Sequence, residues 1–208
     1  MGLSIWDGSP RTIHFVIDDW SNTSWGLHAI DRRTIVGETA ISQDGSRTNK
    51  WDFELFHHYL IRYGGGSGHT LYEQLTQSGY SIDDKGRIAR GGACACSWET
   101  PQLKSDDSSC SQTAAERLPG GERIGSGRIA DALVMQYRRV DDGGTVSLLS
   151  LALGFRCDVM EEIKRWKGTL GIPGAQWRYR VTAYKLGEPD KSVFELPAEY
   201  KIEITSRP

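Results

Sequence analysis

His57-His58 and the pair Cys94 and Cys96 are the residues whose types could hold a metal. Imidazole nitrogen and thiolate sulfur are ordinary zinc ligands. Adjacent histidines on an extended chain point to opposite faces, so only one of the two could join a site. Their spacing to the cysteines matches no standard ligand pattern. His57 and His58 therefore stand as metal candidates, and no metal site is assigned. Asp18-Asp19 and Asp141-Asp142 are paired carboxylates. Such pairs do acid–base work when their environments push two pKa values apart. Both lie beside turn-forming or Gly/Ser-rich residues and read as solvated turn acids. No Gly-x-Ser-x-Gly elbow offers a serine nucleophile. The run GGGSGHT from Gly64 to Thr70 is glycine-rich, but it lacks the lysine that would meet phosphates. No catalytic residue and no cofactor follow.

Four cysteines, Cys94, Cys96, Cys110 and Cys157, are the disulfide candidates. Four allow three connectivities. Cys94 and Cys96 are not expected to bond each other, and the plainest pairing joins one of them to Cys110. In a reducing compartment all four would be thiols.

The elements that would position any site are strands. Between Gln176 and Ile204, Trp177, Tyr179, Val181 and Ala183 fall on one side of an extended chain, with Arg178, Arg180 and Thr182 on the other. That alternation belongs to an antiparallel sheet with one wetted face. Gly187 and Pro189 end the strand. Phe194 and Leu196 pin the next segment, and Tyr200, Ile202 and Ile204 resume the alternation. Upstream, Leu133, Met135 and Tyr137 alternate with Val134, Gln136 and Arg138. Residues 141–144 turn the chain, 146–155 read as a central strand, and 159–166 continue the meander. The ligand-binding candidates are Trp177, Tyr179, Tyr137 and Met135, with Arg178 and Arg180 as charges whose alternative is a solvated face.

In the first half, Ile13, Phe15 and Ile17 alternate with Thr12, His14 and Asp18. Asp44-Gly45 signals a hairpin with a type I′ turn. Residues 53–60 fit a helix or a strand equally, since Phe53, Phe56, His57 and Leu60 share a helical face. Residues 64–69 read as a flexible segment. Thr70 and Glu73 open a short helix over 70–78 as a capping box. Residues 80–90 form a hairpin about 84–86, and a polar surface loop spans 99–123 with one helical turn at 113–117.

The chain has 208 residues, 38% apolar, with formal net charge -2. That suits a single domain over 1–208 with a real core. Interspersed charges argue against a nucleic-acid binder. No apolar run reaches membrane-span length. MGLSIWDGSP has no basic region followed by an apolar core, so no signal peptide is expected within these residues. The protein is then cytoplasmic, or its leader is absent from this chain. The 24 Gly, seven Trp and eight Tyr lean towards β structure.

The segments IADALVMQYRR, DGGTVSLLSLALGFRCDVMEE and WRYRVTAYKLGEPDKSVFELPAEYK, with the earlier SQDGS turn, resemble a class of bacterial extracytoplasmic proteins of unknown function. These are related to the lipoprotein-carrier and sigma-factor-regulator group. The likeness covers residues 36–48 and 124–204. It implies a mainly β fold: a strongly curved antiparallel sheet or half-barrel, closed on its concave side by one or two short helices. It also implies a periplasmic or secreted location, and it brings no catalytic residues. The chain departs from the pattern in lacking a leader and in its glycine-rich 64–68 run.

The expectation is a non-enzymatic binding module for an apolar or lipid moiety or a partner peptide. The alternatives are a metal-dependent hydrolase and an envelope structural or regulatory interaction domain. An apolar ligand or a protein partner is expected, and no nucleic acid.

Overall fold

A computed structural model describes residues 10–23, 29–57, 62–73, 78–93, 107–153, 157–168 and 174–204. Among these the chain forms β1 (Arg11–Thr23), β2 (Ala29–Ile41), β3 (Arg47–His57), β4 (Arg62–Glu73), β5 (Ser78–Asp83) and β6 (Ile88–Ala93). Helix α1 (Asp107–Arg117) follows, then β7 (Glu122–Ile129), β8 (Ala132–Val140), β9 (Val146–Ala152), β10 (Val159–Trp166), β11 (Ala175–Leu186), a 3₁₀ turn (Lys191–Phe194) and β12 (Lys201–Ile204).

All twelve strands form one open sheet in the order β12-β6-β5-β4-β3-β2-β1-β11-β10-β9-β8-β7. Two meanders, β1 to β6 and β7 to β11, meet where β1 pairs with β11 along eleven residue pairs. Neighbours are antiparallel except β12, which runs parallel to β6 at one edge. This is the curved, mainly β half-barrel class that the alternation and the resemblance imply. Register shifts in the β1–β11, β9–β10 and β7–β8 ladders supply local bends, since a bulge raises a strand's twist and curvature.

Directly paired residues share a face, which gives the sheet two distinct sides. On one, Cys110 and Ala114 of α1, with Leu118 just past its end, pack against Met135, Tyr137, Leu149 and Leu151. On the other, the C-terminal segment lays Phe194, Leu196 and Tyr200 against Leu71, Ile82 and Ala89. They are called below the helix face and the tail face. The tail then reaches the edge as β12, beside β6 rather than within the second meander.

Several expectations are corrected. Residues 64–68 do not break the chain: they lie inside β4, paired with Leu55 to Trp51 of β3. The glycines are there for clearance. A methyl on Gly68 would lie 2.2 Å from the Trp51 ring, and one on Gly66 2.7 Å from the Phe53 ring. Two aromatic rings thus lie across β4 where its own side chains would be. Of the helix expected over 70–78, Thr70 to Glu73 are strand, extending β4 against β5, and Ser78 opens β5, while 74–77 lie outside the described residues. The pairing of Leu71 and Tyr72 with β3 and β5 overrides their local helical spacing.

The hairpin at Asp44-Gly45 forms, but its turn is not type I′. Only Gly45 has positive φ, at 91°, and the amide of Gly45 donates to Ser42 O at 3.1 Å. The Asp44 carboxylate accepts from the Ser46 amide at 2.8 Å and from the Ser42 hydroxyl. This side-chain bonding keeps Asp44 out of the left-handed region. The helical turn at 113–117 is the end of a longer helix, and the 84–87 turn joins β5 to β6 as expected.

Cys110 is not bonded to Cys94 or Cys96. It forms a disulfide with Cys157, 47 residues away, tying α1 to the turn before β10. Cys94 and Cys96 lie outside the described residues.

Candidate functional site

The helix face carries a row of side chains running across the strands. Gly66 of β4 opposes Phe53 of β3, which opposes Ile35 of β2. Ile35 opposes Ile17 of β1, and Ile17 opposes Tyr179 of β11. The row continues through Glu162 of β10 and Leu149 of β9 to Tyr137 of β8. One step along the strands, Gly68, Trp51, Gly37, Phe15 and Val181 form a second row.

Rings in these rows lie over glycines. A methyl on Gly37 would lie 2.4 Å from the Phe15 ring, as happens with Trp51 over Gly68 and Phe53 over Gly66. Phe15 also meets Tyr179, with centroids 5.6 Å apart and planes tilted by 39°. Phe15, Ile17, Ile35, Trp51, Phe53 and Tyr179 are all half-buried rather than sealed. With rings lying over glycines and none of these side chains sealed, the two rows form a half-buried apolar strip, called below the trough. From β3 to β11 the trough crosses about 15 Å, at roughly 4.8 Å per strand.

Polar groups bound it. At one side Arg33 bonds Asp19 at 2.9 Å. Lys164 pairs with Glu162 at 3.1 Å and stands 5.8 Å over the Trp177 ring. At the other side Arg11, fully buried, meets the Asp158 carboxylate at 3.0 Å, and the Tyr184 hydroxyl donates to the same carboxylate at 2.8 Å. Arg47 lies on this side too, with Ile41 between it and Arg11 in register. Burial and then the Arg11 charge make the Arg47 cation less favourable than usual. Burial, then the Asp158 carboxylate, push the Tyr179 hydroxyl well above its ordinary range. Tyr179 is thus neutral, with its ring in the trough floor.

The tail face holds a hydrogen-bonded chain with the connectivity of a hydrolytic triad. Thr48 Oγ1 lies 3.2 Å from His69 Nε2, His69 Nδ1 lies 3.1 Å from Asp84, and the Tyr200 hydroxyl donates to Asp84 at 2.9 Å. Burial lowers the His69 pKa, outweighing the nearby Asp84 carboxylate. The ring is therefore neutral, with Nδ1 donating to Asp84, while the Thr48 hydroxyl beside Nε2 also donates to Thr70 O at 3.2 Å. Thr48 is only 2% exposed, so no carbonyl substrate can reach its hydroxyl. The chain fastens the tail to the sheet.

The residues marked from the sequence are distributed unevenly. Trp177 and Tyr179 lie on the helix face, at the trough. Met135 and Tyr137 share that face but are buried under α1. Arg178 and Arg180 are on the opposite face, where Arg178 bonds Glu161 at 2.9 Å and Arg180 stands 4.0 Å from it. His57 ends β3 opposite Asp31 and Arg62, and His58 lies outside the described residues. Among the described residues no three metal-capable side chains converge. Phe15, Ile17, Ile35, Trp51 and Phe53 were not marked, although Phe15 and Ile17 stood in a visible alternation.

No protein-family model matches the chain, and no curated protein matches it by sequence. Solved structures similar to it include MucB, matched over 93% of this chain at 13% identity with a TM-score of 0.46. They also include LprF from Mycobacterium bovis, over 94% of this chain and 92% of that one, at 8% identity and a TM-score of 0.42. A putative outer membrane lipoprotein-sorting protein domain from Vibrio parahaemolyticus matches over 89% of each chain, at 9% identity and a TM-score of 0.23. The chain spans 59% of the length of that MucB chain. MucB of Pseudomonas aeruginosa is also known in complex with MucA. These neighbours fall in the sigma-factor-regulator and lipoprotein group that the C-terminal segments resemble. At such scores the likeness carries no argument about ligand or chemistry.

Proposed function

We propose that this protein is a non-enzymatic binding module that takes the apolar chain of a lipid along the helix face. The observation that carries the reading is the half-buried row Phe53, Ile35, Ile17 and Tyr179, with rings folded onto Gly37, Gly66 and Gly68. A sheet face offers side chains only, because its backbone amides and carbonyls are spent in the ladders. A bound peptide would need backbone partners that this face does not supply. An acyl chain needs none, and gains by leaving water against aromatic and aliphatic surface. A disulfide buried under α1 supports work outside the cytoplasm, where such bonds persist.

The test is titration with a dansylated fatty acid. Saturable binding with enhanced dansyl emission is expected, weakened about tenfold, or roughly 1.4 kcal/mol, by Phe53→Asp. A wild-type protein that folds but leaves the probe unbound would refute the reading.

A further inference from the structure

We propose that the Cys110–Cys157 disulfide is a redox latch that sets how much of the helix face is open. This rests on the lipid-binding reading above. Helix α1 is the end wall of the trough: beneath it lie Tyr137 and Leu149, the continuation of the row through Phe53 and Tyr179, with Met135 and Leu151 one step along.

The bond joins two unequal partners. On the sheet side, Cys157 donates its amide to Ala152 O at 3.1 Å, and Asp158 accepts from the Ala152 amide at 2.9 Å. The Asp158 carboxylate is held in turn by Arg11 and Tyr184. Cys157 also sits at φ 64°, a left-handed conformation that a non-glycine residue keeps only where its surroundings impose it. This side stays put without the bond. On the other side, Cys110 rides an 11-residue helix, DSSCSQTAAER, whose composition is largely polar. Its described apolar anchors besides Cys110 are Ala114 and, just past its end, Leu118. Isolated helices of this length are marginal in water, so docking, and not propensity, keeps α1 formed. The Ser111 hydroxyl also lies 3.4 Å from the Tyr137 hydroxyl, and the disulfide is the covalent tether added to these contacts.

When a dithiol donor reduces the bond, two electrons and two protons pass to the cystine. Cys110 and Cys157 become thiols, and the donor closes to its own disulfide. Helix α1 then leaves, and the trough extends past the Glu162–Lys164 pair across β9 and β8. Both half-cystines are nearly inaccessible in the closed state, at 0% and 3% exposure, so the reductant enters when α1 transiently lifts.

The experiment treats the whole protein with dithiothreitol, follows Cys110 and Cys157 by alkylation and mass, and reads two signals. Amide hydrogen exchange over residues 110–118 should accelerate about tenfold or more while β8 and β9 keep their protection. The affinity for the dansylated fatty acid should rise several-fold. Unchanged protection of α1 after both thiols are alkylated overturns the latch, as does melting of the sheet along with the helix. Release of α1 with no change in a measurable probe affinity also overturns it. If α1 is released and the probe binds neither form, the lipid reading fails while the helix release stands. The double variant Cys110→Ser/Cys157→Ser should reproduce the reduced state in both signals.

Discussion

A methyl group added at Gly68 would lie 2.2 Å from the Trp51 ring and force that ring off β4. Gly68→Ala is therefore expected to destabilise the protein by about 1–3 kcal/mol in urea unfolding, the usual cost of overpacking. Trp51→Ala in the same chain should recover part of that loss, because the two positions share one space. Additive effects would show that ring and glycine do not depend on each other. The same pairing explains what the residues alone could and could not say. Trp177 and Tyr179 stood out because alternation is local. Phe53 was ambiguous because its spacing to Phe56 and Leu60 also fits a helix, and Gly64 to Gly68 looked like a break. Only the partner strand reveals that a glycine is the seat of a ring, and the partner is set by pairing far along the chain.

The two covering elements, α1 and the tail, show the same division. The tail was readable, since Phe194, Leu196 and Tyr200 are apolar residues between Pro189, Pro197 and a closing strand. Helix α1 was reduced to a single turn, because its polar composition carries little periodicity. Its docking depends on a disulfide whose partner is 47 residues away. The tail also makes a pH-dependent fastening. Burial lowers the pKa of His69. Burial disfavours the Asp84 carboxylate as well, but hydrogen bonds from His69 and Tyr200 outweigh it and hold Asp84 below its ordinary value. The stability that neutral His69 contributes is complete above its unfolded pKa of about 6.5. It is lost as pH falls from there through the lower folded value, because the unfolded chain takes up the proton first. The Asp84 contribution is present above the ordinary carboxylate range and is lost at still lower pH. His69→Gln should flatten the dependence of unfolding free energy on pH just below 6.5, where wild type declines. A decline of the same slope in the variant would place its origin elsewhere.

At the scale of the molecule, two meanders joined through β1 and β11 place β12 and β7 at the two ends of the strand order among the described residues. In the second meander β8 and β11 were legible by alternation and β9 by its apolar run, with β10 continuing from it. Strand β7 was not, because its start fell in the polar stretch read as a loop over 99–123. The joint between the meanders was not legible, because nothing near Arg11 or Leu186 announces that they pair. That joint makes the trough: it sets Phe15 and Ile17 beside Tyr179, with rings from β3 two strands further on. The most direct test of the account is photocrosslinking with a diazirine-bearing fatty acid, followed by mapping of the labelled residues. Label confined to Phe15, Ile17, Phe53 and Tyr179, and competed by unlabelled fatty acid, is the predicted result. Label on Val16, Val36 and Arg178 of the opposite face, or labelling that excess fatty acid does not suppress, would contradict it.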